Sequence, residues 1–114
     1  MSDTIFGRIA SGELSADIVH EDEDLVVFRD LSPQAPTHLL VIPRKPIPTL
    51  DDAGPEDAEL LGKLLLAAAR VAAQEGIAET GYRTVINCNA GAGQTVFHLH
   101  LHVLGGRPLR WPPG

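Results

Sequence analysis

The 114-residue sequence lacks the features that mark secreted and membrane proteins. Its one cysteine, Cys88, cannot form a disulfide within the chain. No apolar run is long enough to cross a bilayer, and the first residues are too mixed and charged for a secretory signal. These absences lead us to expect a cytoplasmic protein that does not act at a membrane.

Positive charge is scarce as well. Lysine and arginine number 9 against 15 aspartates and glutamates, which gives a net charge of −6. A long polyanion such as DNA needs a basic surface that releases its counterions, so we expect no nucleic-acid partner. A single nucleotide needs only a locally favourable cradle, and the composition does not exclude one.

The hydropathy pattern predicts an α+β fold in a single domain, residues 1–114. A short amphipathic helix begins near Thr4 and ends at Gly12. Two strands follow, joined by an acidic turn at 22–24, and a short buried strand ends at Pro43.

The second half of the chain supplies one long helix at 54–76 and two more strands at 82–89 and 95–104. Together with the first three strands, these predict a mainly antiparallel sheet of about five strands with one short and one long helix.

The long helix is more apolar than packing on one sheet requires. A Glu59–Lys63 pair lies outside, yet the apolar arc continues through Leu60, Ala67 and Ala69. Alanine richness that only raises helix propensity is one explanation; a second buried face, and hence a homodimer, is the one we favour. The predicted core-facing stripe consists of Leu61, Leu64, Leu65, Ala68, Val71 and Ala72.

Three of the five histidines occupy alternate positions near the end of the chain, at His98, His100 and His102. Side chains alternate in a strand, so the three histidines would share one face. A lone histidine such as His20 would simply pack or make one hydrogen bond, but three in register gain little from packing. The opposite, core-facing set would be Phe97, Leu99, Leu101 and Val103.

A shared metal ion fits this spacing poorly. Cα atoms at positions i and i+2 of a strand lie about 7 Å apart, and the outer two histidines about 13 Å. Ligand nitrogens sit about 2 Å from zinc. Two of the histidines could share an ion with help from Cys88 or His38, but no recognised metal motif supports such a set. We therefore expect neither a metal nor another cofactor.

Catalysis at phosphorus fits the pattern better. A neutral imidazole nitrogen can attack phosphorus, and neighbouring histidines can donate protons. In the preceding loop, Gly91 and Gly93 allow backbone N–H groups to face an anion, while Gln94 and Thr95 add side-chain donors. The loop alone is a weak phosphate signature; together with the histidine strand it is a strong one.

The run from His98 to Leu104 resembles the signature of the histidine triad (HIT) superfamily. Further segments, at 3–9, 30–45, 93–107 and 111–114, resemble its histidine triad nucleotide-binding (Hint) branch. The resemblance implies a homodimer whose two sheets join, with the long helices at the interface. It also implies binding of AMP and GMP, and hydrolysis of purine nucleoside phosphoramidates and acyl-adenylates through a nucleotidyl-histidine intermediate.

The resemblance also assigns residues to roles. His100 would be the nucleophile, with His98, His102 and His38 completing the histidine cluster. Asp30 would accept hydrogen bonds from the ribose hydroxyls, and Trp111 would lie near the site of the other subunit and shape leaving-group preference. Asn87, Gly93, Gln94, Thr95 and Val96 would surround the phosphate and leaving group, and Ile5, Phe6, Ile9, Phe28, Arg29 and Leu31 would form the base pocket.

Three residues depart from the pattern of the family. Thr95 stands where serine is common, and its methyl group would crowd the leaving group. Ala92 replaces a frequent glycine. Arg29 changes the charge at the rim of the base pocket and is expected to alter base preference.

Other functions remain as alternatives. A nucleotidyl transferase would resemble H-φ-H-φ-Q, which the third histidine, His102, opposes, and the ending at 111–114 opposes a dinucleoside polyphosphate hydrolase. A non-catalytic adapter that senses a nucleotide for a protein partner and a metal protein are the remaining alternatives.

Overall fold

The computed structural model describes residues 4–114, which form one antiparallel sheet with a helix on each face. The strand order is β1-β2-β3-β5-β4. The predicted α+β fold with a five-stranded sheet is confirmed. Its elements are α1 (Ile5–Ala10), β1 (Ile18–Glu21), β2 (Leu25–Arg29), β3 (Thr37–Pro43), α2 (Ala58–Gln74), β4 (Tyr82–Val85) and β5 (Leu101–Gly105).

The two faces of the sheet build two separate cores. Alternate residues of β2, such as Leu25 and Val27, face α2, while Val26 and Phe28 face α1. The central strands are buried on both faces, which explains why β2 and β3 read as continuous apolar runs rather than alternating ones. Among residues 4–114, no helix is long and apolar enough to span a bilayer.

The short helix α1 begins and ends where the sequence predicts. The Thr4 hydroxyl accepts a hydrogen bond from the Gly7 N–H at 2.9 Å, which satisfies one of the free donors of the first turn. Gly12 follows the helix with φ +83°, a left-handed conformation that favours glycine.

One side of α2 is uncovered in the single chain. Leu64 and Val71 are fully buried on the sheet, but Leu65, predicted to face the core, is 52% exposed. A turn of 100° per residue places it on a different stripe, together with Leu66, which is 71% exposed. This apolar stripe of α2 consists of Ala58, Gly62, Leu65, Leu66, Ala69 and Ala73.

The last strand is shorter than predicted. Strand β5 begins at Leu101, so residues 95–100 lie outside the ladder, and Phe97 is exposed rather than part of the core. Pairing of β5 with β3 reaches Leu101 opposite Val41, and continuing it would place residues 95–99 opposite Pro43 and the residues beyond it. Strand β4 likewise ends at Val85, before the predicted 89.

Prolines in the neighbouring segment stop this ladder. Pro43, Pro46 and Pro48 have no backbone N–H to donate. Two irregular bonds replace the ladder: the Leu99 N–H donates to the Ile47 carbonyl at 2.7 Å, and a ring nitrogen of His98 donates to the Pro43 carbonyl at 2.7 Å. The alternation of side chains that was predicted for 95–104 therefore holds only in its second half.

Truncating Leu64 to alanine should cost about 2–5 kcal/mol of unfolding free energy, because the side chain is 1% exposed and would leave a cavity between α2 and the sheet. Urea denaturation of the wild type and Leu64→Ala measures the difference. Leu31→Ala is the matched control: Leu31 is 94% exposed, and its loss should change stability by less than about 0.5 kcal/mol. Equal losses in the two variants would contradict the packing described.

Candidate active site

A straight row of paired residues crosses the α1 face of the sheet. His102 on β5 lies opposite Leu40 on β3, Leu40 opposite Phe28 on β2, and Phe28 opposite Ile18 on β1. Directly paired residues of antiparallel strands point to the same face. The row therefore connects the histidines at one end with the edge strand β1 at the other.

A chain of hydrogen bonds orders two of the histidines. The Gln34 backbone N–H donates to His38 Nδ1 at 3.0 Å, so this nitrogen must present its lone pair. Neutral His38 then carries its hydrogen on Nε2 and donates to His102 Nδ1 at 2.9 Å. Because His102 Nδ1 accepts this hydrogen bond, neutral His102 carries its own hydrogen on Nε2. The bonds thus make the free nitrogen of His102 a donor.

In the His100 ring the positions of the hydrogen and the lone pair are reversed. Its Nδ1 lies 2.8 Å from the His98 carbonyl oxygen, which can only accept, so Nδ1 carries the hydrogen. In the neutral ring, Nε2 is left with its lone pair. The rings of His100 and His102 are 5.0 Å apart between centroids. A nucleophilic nitrogen and an N–H donor therefore belong to neighbouring rings.

His98 has a different place from the other two members of the motif. Its ring is 1% exposed, its Nε2 donates to the Pro43 carbonyl, and its Nδ1 has no hydrogen-bond partner among residues 4–114. The side chain thus connects the end of β3 to the histidine segment, while the carbonyl of the same residue orients His100. This arrangement supports a positioning role for His98 rather than proton transfer.

Burial favours the neutral form of His38, His98 and His102. It lowers the pKa of His102 to about 4, with smaller contributions from the nearby His100 and His38 rings. Burial also lowers the pKa of His38, although Asp30 opposes it, and that of His98. At neutral pH His102 therefore donates a hydrogen bond but is not a source of protons.

One group of side chains has the spacing of a metal site. A carboxylate oxygen of Asp30 and one nitrogen each of His38 and His102 lie within 4.8 Å of one another. A metal would need the lone pair of His38 Nε2, which would force the hydrogen onto Nδ1, directly against the Gln34 N–H. The backbone hydrogen bond therefore favours the arrangement without a metal at this group.

Near the histidines, a mostly apolar cavity of about 340 Å³ is lined by α1, the segment before β1, and the end of β2 with the residues after it. Phe6 connects the two regions, since its ring lies edge-on to His100 at 5.0 Å and to Phe28 at 5.5 Å. All six residues predicted for the base pocket line this cavity. The complete lining is Ile5, Phe6, Ile9, Leu14, Ser15, Ala16, Asp17, Phe28, Arg29, Asp30, Leu31 and Leu40.

Four of these residues, at 14–17, were missed in the sequence. They precede β1 without helical or strand structure and show no motif; only the pairing of Ile18 with Phe28 brings them to the cavity. Asp30, expected to bind ribose hydroxyls, also lines this cavity. One of its carboxylate oxygens accepts from the Ser32 N–H at 2.8 Å, and the other lies 3.5 Å from His38 Nε2.

The glycine loop is held by the side chain of Gln94, which is 3% exposed. Its amide donates to the carbonyls of Pro48 and Val96 and accepts from the Asn89 N–H. Because both side-chain N–H groups of Gln94 already donate to these carbonyls, Gln94 could contact a phosphate only by breaking one of these hydrogen bonds. The backbone N–H groups of Thr95 and Val96 form no hydrogen bond within residues 4–114 and are the better donors.

Other expected residues are placed as follows. Gly93 has φ +97°, and a Cβ on it would lie 4.0 Å from Asn87 Nδ2, so Asn87 borders the glycine loop. Trp111 is 82% exposed. Arg29 contacts Glu75 through both terminal nitrogens, each at 2.9 Å.

A second cavity of about 340 Å³ has no comparable chemistry. It lies between the β1–β2 turn and the start of α2, and both lysines of its lining pair with carboxylates of the lining. Lys63 donates to Asp24 at 2.9 Å, and Lys45 pairs with Asp57. The predicted Glu59–Lys63 pair also forms here, at 3.8 Å.

The opposite polarity of the His100 and His102 rings and the neighbouring apolar cavity are the features expected from the resemblance to the histidine triad superfamily. A family model described as the HIT domain matches residues 11–109, and the chain belongs to this family.

Known relatives agree with this assignment. An uncharacterized HIT-like protein from Synechococcus elongatus is 59% identical over 98% of this chain and 97% of its own length. The purine nucleoside phosphoramidase of Escherichia coli K12 is 51% identical over 94% of this chain and 90% of its own. The crystal structure of a HIT family hydrolase from Legionella pneumophila Philadelphia 1 superposes with a TM-score of 0.96, at 52% identity over 98% of this chain and 100% of the other.

Stability should fall as the pH drops from about 6.5 to 4. In this range the unfolded chain, whose histidines titrate near an ordinary pKa of about 6.5, binds more protons than the folded chain, in which the pKa of His102 is about 4. Urea denaturation at several pH values should show a loss of unfolding free energy at low pH. In His102→Gln that loss between pH 7 and 4.5 should be smaller by on the order of 2 kcal/mol. An identical pH dependence in the two proteins would contradict the lowered pKa.

Proposed function

We propose that this protein is a homodimeric purine nucleoside phosphoramidase that hydrolyses adenosine and guanosine 5′-phosphoramidates and acyl-adenylates. The observation that carries the proposal is the fixed polarity of the histidines: the His98 carbonyl leaves a lone pair on His100 Nε2, and His38 leaves an N–H on His102. The 51% identity to the Escherichia coli phosphoramidase supports the same substrate class.

In the first step His100 Nε2 attacks the phosphorus of the bound substrate. A bond forms between Nε2 and phosphorus, and the P–N bond breaks with its electron pair on the leaving nitrogen, which takes a proton and departs as an amine. His102 and the Thr95 and Val96 N–H groups donate hydrogen bonds to the phosphate oxygens. Because His102 is neutral, the proton must come through the exposed Thr95 hydroxyl or from solvent.

In the second step a water oxygen forms a bond to phosphorus and gives up a proton to solvent. The bond to His100 Nε2 breaks with its electron pair on the nitrogen, which restores the neutral ring and releases the nucleoside monophosphate. The rest of the cavity would hold the nucleotide in place between the steps. Asp30 keeps acceptor capacity beyond its bond to Ser32, which suits a ribose diol, and Phe6 and Phe28 would contact the faces of the base.

The dimer part of the proposal rests on the apolar stripe of α2. Leu65 and Leu66 are exposed next to small residues that would allow a second helix to approach closely. A partner chain packed on this stripe would bury it. The position of Trp111 near the site of the other subunit follows from the family resemblance, and the exposure of its side chain in the single chain is compatible with that position.

Replacing His100 with alanine should lower kcat on a fluorogenic adenosine phosphoramidate by at least about a thousandfold, since the nucleophile is lost. Binding of AMP, measured by calorimetry, should change little. The matched control is His20→Ala, because His20 lies on β1 outside the cavity and should leave the rate unchanged.

A rate near that of the wild type in His100→Ala would overturn the proposed nucleophile. Diadenosine polyphosphates assayed in parallel should be poorer substrates, and faster turnover of these would favour the polyphosphate hydrolases instead. Mass spectrometry of wild-type enzyme quenched during turnover should find a nucleotidyl adduct on His100.

A charge in the apolar stripe should separate the subunits. Leu66→Glu would place a carboxylate in a buried apolar interface, and sedimentation equilibrium should show a shift from dimer toward monomer. Leu50→Glu, at another partly exposed leucine outside α2, should remain dimeric. A wild-type protein that is monomeric at all concentrations would contradict the dimer.

A further inference from the structure

The two glycines and the arginine that follow the histidine motif have no part in the proposed chemistry. Gly105 is the last residue of β5, and Gly106 and Arg107 form the bend after it. Arg107 contacts the loop that carries the Gln34 N–H. We propose that Arg107 is a positioning residue that holds this loop and thereby keeps the free nitrogen of His102 a hydrogen-bond donor, an inference that rests on the proposed function.

The loop between β2 and β3 has few hydrogen bonds to the rest of the molecule. The Asp30 N–H donates to the His38 carbonyl at 3.0 Å, which closes the hairpin at the base of the loop. Two of residues 31–36 are prolines, which have no backbone N–H to donate. Among residues 4–114, the only hydrogen bond that residues 31–36 receive from outside this hairpin comes from Arg107. The hydrogen bonding that holds the loop in place therefore depends on one side chain.

Arg107 and His38 hold Gln34 from two sides. Arg107 Nη2 donates to the Gln34 carbonyl at 3.0 Å, while the Gln34 N–H donates to His38 Nδ1 at 3.0 Å. The other terminal nitrogen of Arg107, Nη1, donates to the Pro108 carbonyl at 3.1 Å, which keeps the guanidinium close to its own backbone. A charged donor makes a stronger hydrogen bond to a carbonyl than a neutral donor does. The direction of the Gln34 N–H is thus fixed by a side chain that follows β5.

The two glycines allow the bend to approach this loop. Gly106 has φ +93°, and a Cβ on it would lie 2.9 Å from Pro36 Cβ. A Cβ on Gly105 would lie 2.7 Å from Ile77 Cδ1, in the core that includes α2. Neither position has room for a side chain, so the bend can lie directly against the loop.

Loss of the Arg107 bond would reach the reaction through the tautomer of His38. Without a fixed Gln34 N–H, His38 Nδ1 is free to carry the hydrogen, and its Nε2 then accepts instead of donating. His102 Nδ1 would have to donate to it, which leaves a lone pair on His102 Nε2, where the proposed reaction needs an N–H. A lone pair there would face the negative phosphate oxygens and could not stabilise their charge.

Long-range proton–nitrogen correlation NMR spectra of the imidazole rings test this inference without a substrate, because a nitrogen with a hydrogen and one with a lone pair differ in chemical shift. At neutral pH the wild type should show one form of His38 and of His102, each with its hydrogen on Nε2. In Arg107→Ala both rings should show nitrogen shifts averaged between the two tautomers. In this variant kcat on the adenosine phosphoramidate should fall about fivefold, the effect of about one hydrogen bond. Arg107→Lys, which keeps a charged donor, should recover most of both.

Two control variants separate this role from general effects of the substitutions. Arg83 also donates to a backbone carbonyl, at 2.9 Å, and Arg83→Ala should leave both histidine tautomers as in the wild type. Gly106→Ala should displace the loop by direct contact and mix the tautomers as Arg107→Ala does. Gly76→Ala carries a similar left-handed penalty, with φ +77°, but its new Cβ would meet no atom within 4 Å, and the tautomers should not change.

Wild-type nitrogen shifts in Arg107→Ala would overturn the inference, whatever its rate, and would leave the proposed function intact. Mixed tautomers at an unchanged rate would overturn it as well, because the order of the histidines would then not matter for the reaction. A wild-type protein that hydrolyses no phosphoramidate would overturn the proposed function, while the spectra would still decide whether Arg107 orders the histidines.

Discussion

One backbone hydrogen bond sets the chemistry of the histidine cluster. The Gln34 N–H can only donate, so it fixes the lone pair of His38, and each later step to His102 follows from that choice. The loop that carries this N–H is itself held at two points. The Asp30 carboxylate accepts from the Ser32 N–H, and Arg107 donates to the Gln34 carbonyl at 3.0 Å. A side-chain arrangement thus depends on the main-chain geometry of a surface loop.

The fixed direction of these hydrogen bonds also explains why the histidine side chains can be buried here. Protonation of His38 would remove the Nδ1 lone pair that accepts from the Gln34 backbone N–H. A protonated His102 would lie against the His38 and His100 rings with little solvent around it. When both rings are neutral, Gln34 donates to His38 and His38 donates to His102, so each buried nitrogen of these two rings has a hydrogen-bond partner. The cluster is therefore a set of oriented dipoles, and in the proposed reaction it would stabilise a developing charge by hydrogen bonds and not by releasing protons.

Much of this fold could be predicted from the sequence, because local signals decide it. The prolines and glycines bound α1, β3 and α2, and continuous apolar runs mark the central strands. The errors arise where contacts distant in sequence decide. Residues 95–100 alternate like a strand, but their neighbours near Pro43 cannot form a ladder, and Leu65 turns away from the sheet by one helical step. Residues 14–17 carry no motif, and only the pairing of β1 with β2 brings them to the cavity.

Because the cavity crosses the strands, the histidines and the far end of the cavity lie on different parts of the sheet. The histidines lie on β3, β5 and the segment before β5, where main-chain bonds to Gln34 and Pro43 orient His38 and His98. The far end of the cavity lies three strands away from β5, against the edge strand β1 and the irregular segment before it. A substitution there disturbs few buried contacts. Because the row through Leu40 and Phe28 lies between the two ends, a substitution at the edge strand leaves the main-chain bonds that orient the histidines in place.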